Sequence, residues 1–384
     1  MKLIAKTMAG LEGVLAAELL QIGATEIRQA ARAVHFEGDA EVLYRSNFEL
    51  RTALRILMPI AEFTAKDEAT LYKHVFDIDW RQYMEVTDTF AVDAVTWSET
   101  MRHSKYVALK TKDAIADRFR KELDRRPDVR VDDPDLLVHV HLNGTQATIA
   151  LDSSGVSLHR RGYRLQGGVA PLNEILAAGM ILLTGWQADR PFIDPMCGSG
   201  TLLLEAALLA GRIPPQWQRK KFAFQQWKNY QPEVWERVRR NALAQTTNSW
   251  PPILGFDRDF RALRIAAENI ESAHLSDKIA LEKMSFEQLQ PPAGPGIVVM
   301  NPPYDERIPI EQTAQFYKRI GDTLKQRFAG YEAWVLSSNM EALKQIGLHP
   351  SKKITLFNGP LECKFLKFSL YEGSKKGKYL EPLP

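Results

Sequence analysis

The chain alternates short apolar runs with amphipathic stretches of helical period. Lys2-Leu3-Ile4-Ala5 and Val34-His35-Phe36-Glu37 have the make-up of strands, and Leu11, Leu15, Leu19 and Leu20 recur at helical spacing between them. Gly23 suits the end of that helix, and Glu41 to Ser46 predicts a short one. Leu71 to Trp80 reads as a helix and Thr89 to Val95 as an alternating strand. Ser104 to Leu123 places Val107, Ile115, Phe119 and Leu123 on one side of a long helix. Leu136 to Leu142 and Thr145 to Leu151 flank Asn143-Gly144, the signature of a tight hairpin. Further on, apolar strands and helices alternate: Phe192-Ile193, Pro252 to Asp257, Ile279 to Glu282, Gly296 to Met300 and Glu332 to Ser337. Lys353 to Phe357 and Lys364 to Leu370 close this set as an antiparallel pair around Asn358-Gly359-Pro360, making seven strands. The expected fold class is α/β, a seven-stranded C-terminal domain preceded by an α+β region.

Composition narrows the field only a little. The 384 residues exceed one ordinary domain, and 45% hydrophobic with 25% charged residues is the make-up of a soluble globular protein. A net charge of +3 does not itself reveal a nucleic-acid partner. Basic residues nonetheless cluster at Arg125-Arg126, His159-Arg160-Arg161, Arg219-Lys220-Lys221, Arg237 with Arg239-Arg240, and Lys375-Lys376; for any single cluster a solvated surface is the simpler reading. Two cysteines, Cys197 and Cys363, exclude a disulfide framework and a Cys-rich zinc site, so no metal is expected. Lys6, Glu12 and Glu18 interrupt any signal-peptide core, and no run reaches membrane-span length, so a cytoplasmic location is expected.

The candidate chemistry centres on Asp194-Pro195-Met196-Cys197-Gly198-Ser199-Gly200-Thr201, between an apolar strand and the helical Leu202-Leu203-Leu204-Glu205-Ala206-Ala207. A strand, a glycine turn and a helix form the site that binds a nucleotide-like cofactor at the end of a parallel sheet. Gly198 and Gly200 can take positive φ and let backbone approach a ligand. The acidic Asp194 argues against a phosphate there, and neither a Walker A sequence nor a full G-x-G-x-x-G is present. Cys197 reads as a small packing residue and Glu205 as a solvated or packing-edge helix residue. Asp257 ends the next strand and suits the ribose hydroxyls of such a cofactor. Its distance from Asp194 far exceeds the roughly 20 residues of a plain dinucleotide unit, because an insertion intervenes. That insertion interleaves Trp217, Phe222, Phe224, Trp227 and Trp235 with Arg219-Lys220-Lys221. The mixture suits base stacking beside phosphates, although plain packing is the commoner fate of such aromatics.

The strand Gly296 to Met300 runs into Asn301-Pro302-Pro303-Tyr304. With the acidic glycine turn upstream, this motif resembles class I S-adenosylmethionine methyltransferases that modify an exocyclic amino group of a base. Such an amine is a poor nucleophile, and two acceptors that orient its hydrogens serve it better than a strong base. The Asn301 side-chain oxygen and the Pro302 carbonyl can be those acceptors, Pro302 and Pro303 stiffen the loop, and Tyr304 can stack on the base. The resemblance implies S-adenosylmethionine as cofactor, held by Asp194, Pro195, Cys197, Gly198, Gly200, Thr201 and Asp257. It also implies that the helix opened by Pro171-Leu172-Asn173-Glu174, after the linker His159 to Arg164 and the loop Gly167-Gly168, packs over the cofactor with Asn173 near it. Where the family often has an Asp contacting adenine, this chain has Met284-Ser285-Phe286, leaving Ser285 or a backbone group for the task.

Residues 1–58 resemble the small ferredoxin-like segment that precedes THUMP, and 59–162 resemble a THUMP domain, most closely from His103 to Ile115, leaving 163–384 as the methyltransferase domain. THUMP is an RNA-binding module, so the resemblance implies an RNA partner. Lys105, Lys110, Lys112, Arg118, Arg120 and Lys121 suit a helix face near phosphates. Among such enzymes the nearest likeness is to bacterial 23S ribosomal RNA guanine-N2 methyltransferases. A DNA adenine-N6 methyltransferase, or a non-catalytic RNA-binding or ribosome-assembly factor, stands as the alternative.

Overall fold

The computed structural model describes residues 1–165, 172–303 and 310–371. Gly167, Gly168, Pro171 and Tyr304 lie outside the described residues. The chain divides into two compact units. One holds residues 1–7, 15–160 and 216–244; the other holds 8–14, 161–215 and 245–384.

The first unit is built from β1 (Lys2–Lys6), α1 (Glu12–Gln21), β2 (Thr25–Ala30), β3 (Ala33–Glu37), α2 (Ala40–Glu49), β4 (Arg55–Thr64), α3 (Glu68–Asp77), β5 (Thr89–Trp97), α4 (Ser104–Leu123), β6 (Asp128–Val129), β7 (Leu136–Asn143) and β8 (Gln146–Asp152). These strands form one eight-stranded sheet in the order β2-β3-β1-β4-β8-β7-β5-β6. The expected boundary at residues 58 and 59 falls inside β4. That strand pairs with β1 through Ala5 and Ile56, and with β8 from Leu57–Asp152 to Thr64–Gln146. Pro59, which has no N–H to give a neighbouring strand, sits where the register with β8 shifts between Pro59 and Ala61. The Asn143-Gly144 hairpin forms as expected, with Gly144 at φ +59°, and Gly23 ends α1 at φ +87°. The helix expected to reach Trp80 stops at Asp77; the Trp80 indole folds back and donates to the Val75 carbonyl at 2.8 Å. On α4, Lys112, Arg118 and Arg120 pair with Asp113, Glu122 and Asp117, while Lys105 and Lys121 stand exposed.

The aromatic insertion belongs to this first unit. Phe222, Phe224, Trp227 and Trp235 are buried. Phe224 stacks on Tyr44 of α2 with centroids 4.5 Å apart, and Trp235 meets Phe48 edge-on at 5.4 Å. Lys221 pairs with Asp133 and Arg237 with Glu41 around them. These rings are core, and the base-stacking role considered for them finds no exposed face to act through.

In the second unit the chain runs through α5 (Glu174–Thr184), β9 (Phe192–Asp194) and α6 (Thr201–Ala210), then leaves for α7 (Pro232–Ala244) in the first unit. It returns as β10 (Ile253–Asp257), α8 (Phe260–Ser272), β11 (Ile279–Lys283), β12 (Ile297–Met300), α9 (Ile310–Arg327), β13 (Glu332–Ser337), α10 (Met340–Gln345), β14 (Lys352–Asn358) and β15 (Leu361–Ser369). The seven-stranded order is β11-β10-β9-β12-β13-β15-β14, with β15 antiparallel to both neighbours. Strand order reverses between β9 and β12, and such a switch point opens a crevice at the carboxyl ends of the strands.

Candidate active site

Four strand ends meet at that crevice. Asp194 ends β9 and Pro195 to Ser199 with Thr201 follow it, Asp257 ends β10 and Arg258, Asp259 and Arg261 follow it, Met284 to Glu287 follow β11, and Asn301 with Pro303 follow β12; together they line a cleft of about 610 Å³. The local conformation explains the glycines. Gly198 and Gly200 sit at φ +53° and +79°, and a Cβ on Gly200 would lie 3.2 Å from the Ala266 methyl of α8. Gly200 caps α6 and does not itself reach the cleft.

The turn is tied to β10 by hydrogen bonds. Cys197 N–H donates to the Phe256 carbonyl at 2.9 Å and Gly198 N–H to Asp257 Oδ2 at 3.0 Å. Asp257 Oδ1 accepts from Asp259 N–H at 2.9 Å, so both oxygens are oriented while each keeps a lone pair for a ligand. Asp194 is 2% exposed. Burial pushes its carboxyl up to about 8, the charge of Asp257 adds to the effect, and the Met196 N–H at 3.2 Å opposes it. Burial also raises the Cys197 thiol well above its ordinary value, as suits a packing residue.

Beyond β12, Pro302 is buried and Asn301 half-buried. Asn301 Oδ1 is shielded from solvent and has no hydrogen-bond partner among the described residues. Ser285 reaches the cleft with its hydroxyl 3.2 Å from Gln288 Oε1. Asn173 does not line the cleft. It caps α5, accepting from Ile175 N–H at 2.9 Å, and Leu172 beside it forms the wall. Arg164 turns inward to Glu174, Leu172 and Thr201. Glu205 departs from its expected place: it is 1% exposed and accepts from the Tyr163 hydroxyl at 2.9 Å and from Arg161 Nε at 3.3 Å.

Sequence reasoning missed Met196, Arg258, Asp259, Arg261, Glu287 and Phe316 in the cleft wall. Asp259 carried a readable signal as the cap of α8, accepting from Arg261 N–H. Phe316 carried none, since only the packing of α9 brings it to the cleft. Among the described residues no group of three His, Cys, Asp or Glu side chains could hold a metal ion, and no helix is long and apolar enough to cross a membrane.

Family models match along the chain: an RlmL ferredoxin-like domain at residues 2–57, a THUMP domain at 65–152, and an RMKL-like methyltransferase domain at 161–367. The chain is 40% identical, over 97% of its length, to the "Ribosomal RNA large subunit methyltransferase K/L" of Syntrophotalea carbinolica, of which it covers 54%. It therefore spans about half the length of that kind of relative. The "Putative RNA methyltransferase slr0064" of Synechocystis sp. is 38% identical over 94% of this chain and 95% of its own. Among solved structures, SMU.472, a "putative methyltransferase complexed with SAH", superposes with a TM-score of 0.88 at 29% identity, covering 97% of this chain and 99% of that one. With its central glycine turn, its switch-point cleft and its N-terminal ferredoxin-like and THUMP regions, this chain belongs to the RMKL-like methyltransferase family.

Proposed function

We propose that the chain transfers a methyl group from S-adenosylmethionine to an exocyclic amino group of an RNA base, guanine N2 of large-subunit ribosomal RNA being the preferred target. One observation carries the reading. Among the described residues Asn301 Oδ1 is a buried acceptor without a partner, in the same cleft as the carboxyl groups of Asp194 and Asp257. A buried polar atom left unsatisfied costs roughly 1–3 kcal/mol, and an amine hydrogen would satisfy it.

The residues present fit the cofactor. Asp194 is a desolvated carboxyl whose ionisation a neighbouring ammonium would favour. Asp257, held by two backbone N–H groups, suits two ribose hydroxyls. S-adenosylmethionine supplies an electrophilic methyl group on a sulfonium. Asn301 accepts one hydrogen of the target amine and the Pro302 carbonyl the other, which turns the nitrogen lone pair toward the cleft. Tyr304 is assigned the stacking role from its place in the motif. Positioning is the main source of rate in such a site.

RNA as substrate is supported by the match to THUMP and by the names of the relatives. Those names do not single out guanine N2; that choice rests on the likeness read in the sequence. The test is mass spectrometry of nucleosides from protein-free 23S ribosomal RNA incubated with the full chain and cofactor. N2-methylguanosine is expected. N6-methyladenosine in its place would replace the target assigned, and unmodified RNA would overturn the function.

A further inference from the structure

We propose that Arg164 binds the carboxylate of the cofactor's amino-acid tail; the proposal rests on reading the cleft as an S-adenosylmethionine site. That tail is a zwitterion, with an ammonium and a carboxylate on one carbon, so its pocket needs an acceptor and a donor side by side. Asp194 is the acceptor at the end of β9. Arg258 and Arg261 follow β10, on the side where Asp257 meets the ribose. Arg164 is the cation directly behind the wall that Leu172 and Thr201 form on the side of α5 and α6.

Its guanidinium is nearly fully anchored. Nε donates to Glu174 Oε1 at 2.7 Å, and Nη2 donates to the Leu172 carbonyl at 3.0 Å and to Thr201 Oγ1 at 3.1 Å. Leu172 and Thr201 both form the cleft wall. The third nitrogen, Nη1, is buried and has no acceptor among the described residues. Arginine nitrogens only donate, so this one requires an acceptor that the described protein does not supply. A carboxylate is the acceptor an arginine fork is shaped for. Thr201 Oγ1 accepts from Nη2 and also lies 3.4 Å from Ser199 Oγ, and it stands in the first turn of α6, where free N–H groups favour negative charge. Glu174 offsets the charge of Arg164, so the expected contribution is that of one oriented charge-assisted hydrogen bond and not of a bare ion pair.

The test is titration calorimetry of the full chain with S-adenosylhomocysteine and with its carboxyl methyl ester, for the wild type, Arg164→Gln, and Arg164→Gln/Glu174→Gln, in which no carboxylate is left without its cation. Wild type should bind the acid about 10- to 100-fold more tightly than the ester. In both variants the acid should weaken by that factor, the ester should change by less than about threefold, and the acid-to-ester ratio should fall toward one. An acid-to-ester ratio in either variant equal to that of wild type would overturn the role of Arg164 and leave the cofactor site standing. Wild type that binds neither ligand would overturn the cofactor site, and this proposal with it.

Discussion

Gly198 N–H donates to the Asp257 carboxylate at 3.0 Å, so the turn after β9 and the end of β10 are locked together before any ligand arrives. The same carboxylate orients the start of α8 through Asp259 N–H. Asp257 is therefore both a brace for the glycine turn and the proposed ribose acceptor. Asp257→Ala should weaken S-adenosylhomocysteine by about 100-fold in titration calorimetry, from two lost hydrogen bonds to a charged group. Affinity unchanged from wild type would remove Asp257 from the site.

Asn301→Ala should lower single-turnover methylation on the order of 100-fold or more while cofactor affinity changes by less than about threefold. The lost group is an acceptor, so Asn301→Asp, which keeps one, should retain more activity than Asn301→Ala. Equal rates for wild type and Asn301→Ala would sink the proposed mechanism.

The raised Asp194 carboxyl gives a pH dependence with a definite sign. Its ordinary value is 3.8 and burial moves it to about 8 in the folded chain. Between these values the unfolded chain has released the proton and the folded chain still holds it, so the folded state binds more protons and this group's contribution to stability falls as pH rises through that window. The melting temperature of the free protein should decline toward pH 8, less steeply in Asp194→Asn. A ligand ammonium favours the ionised carboxyl, so binding near pH 7 should release a proton in wild type and none from this group in Asp194→Asn. Calorimetry in buffers of different ionisation enthalpy reads that proton directly.

Glu205 lies 1% exposed between Arg161 Nε and the Tyr163 hydroxyl. Removing one member of a buried ion pair costs about 3–5 kcal/mol because the other charge stays buried. Glu205→Ala should lower the denaturant midpoint accordingly, while Glu205→Gln, which keeps an acceptor for Tyr163, should lose less. A midpoint unmoved by Glu205→Ala would contradict the structural role assigned to this pair.

Trp235 separates the two readings of the aromatic insertion. As a core residue packed against Phe48 and Phe224, its replacement by Ala should cost about 3–5 kcal/mol of stability. A base-stacking residue would instead show a normal melt and weakened RNA binding.

Much of this protein was legible along the chain. The strand, glycine turn and helix around Gly198, the acid at the end of β10, the Asn143-Gly144 hairpin and the antiparallel closing pair all lie where the pattern placed them. They depend on interactions among near neighbours: apolar periodicity, a turn that needs positive φ, an acid following a strand. The residues Asp194, Asp257, Ser285 and Asn301 were readable as candidates, and the fold brings all four to one cleft.

Burial and partnership were decided elsewhere. Nothing local says that Glu205 is enclosed by Arg161 and Tyr163, that β4 joins the first 57 residues to the THUMP strands in one sheet, or that an insertion threaded between β9 and β10 packs its aromatics on α2. Asn173, expected near the cofactor, spends its side chain on a helix cap, and Arg164, readable in the linker as a residue for either RNA or the cofactor, turns in toward the cleft wall. The amino-acid sequence determined which segments become strands, turns and helices and which chemical groups the strand ends carry, because those follow from short-range sterics and periodicity. Only the tertiary structure decided which of those groups lose water and which meet a partner, because desolvation and hydrogen bonding across the fold depend on residues tens to hundreds of positions apart.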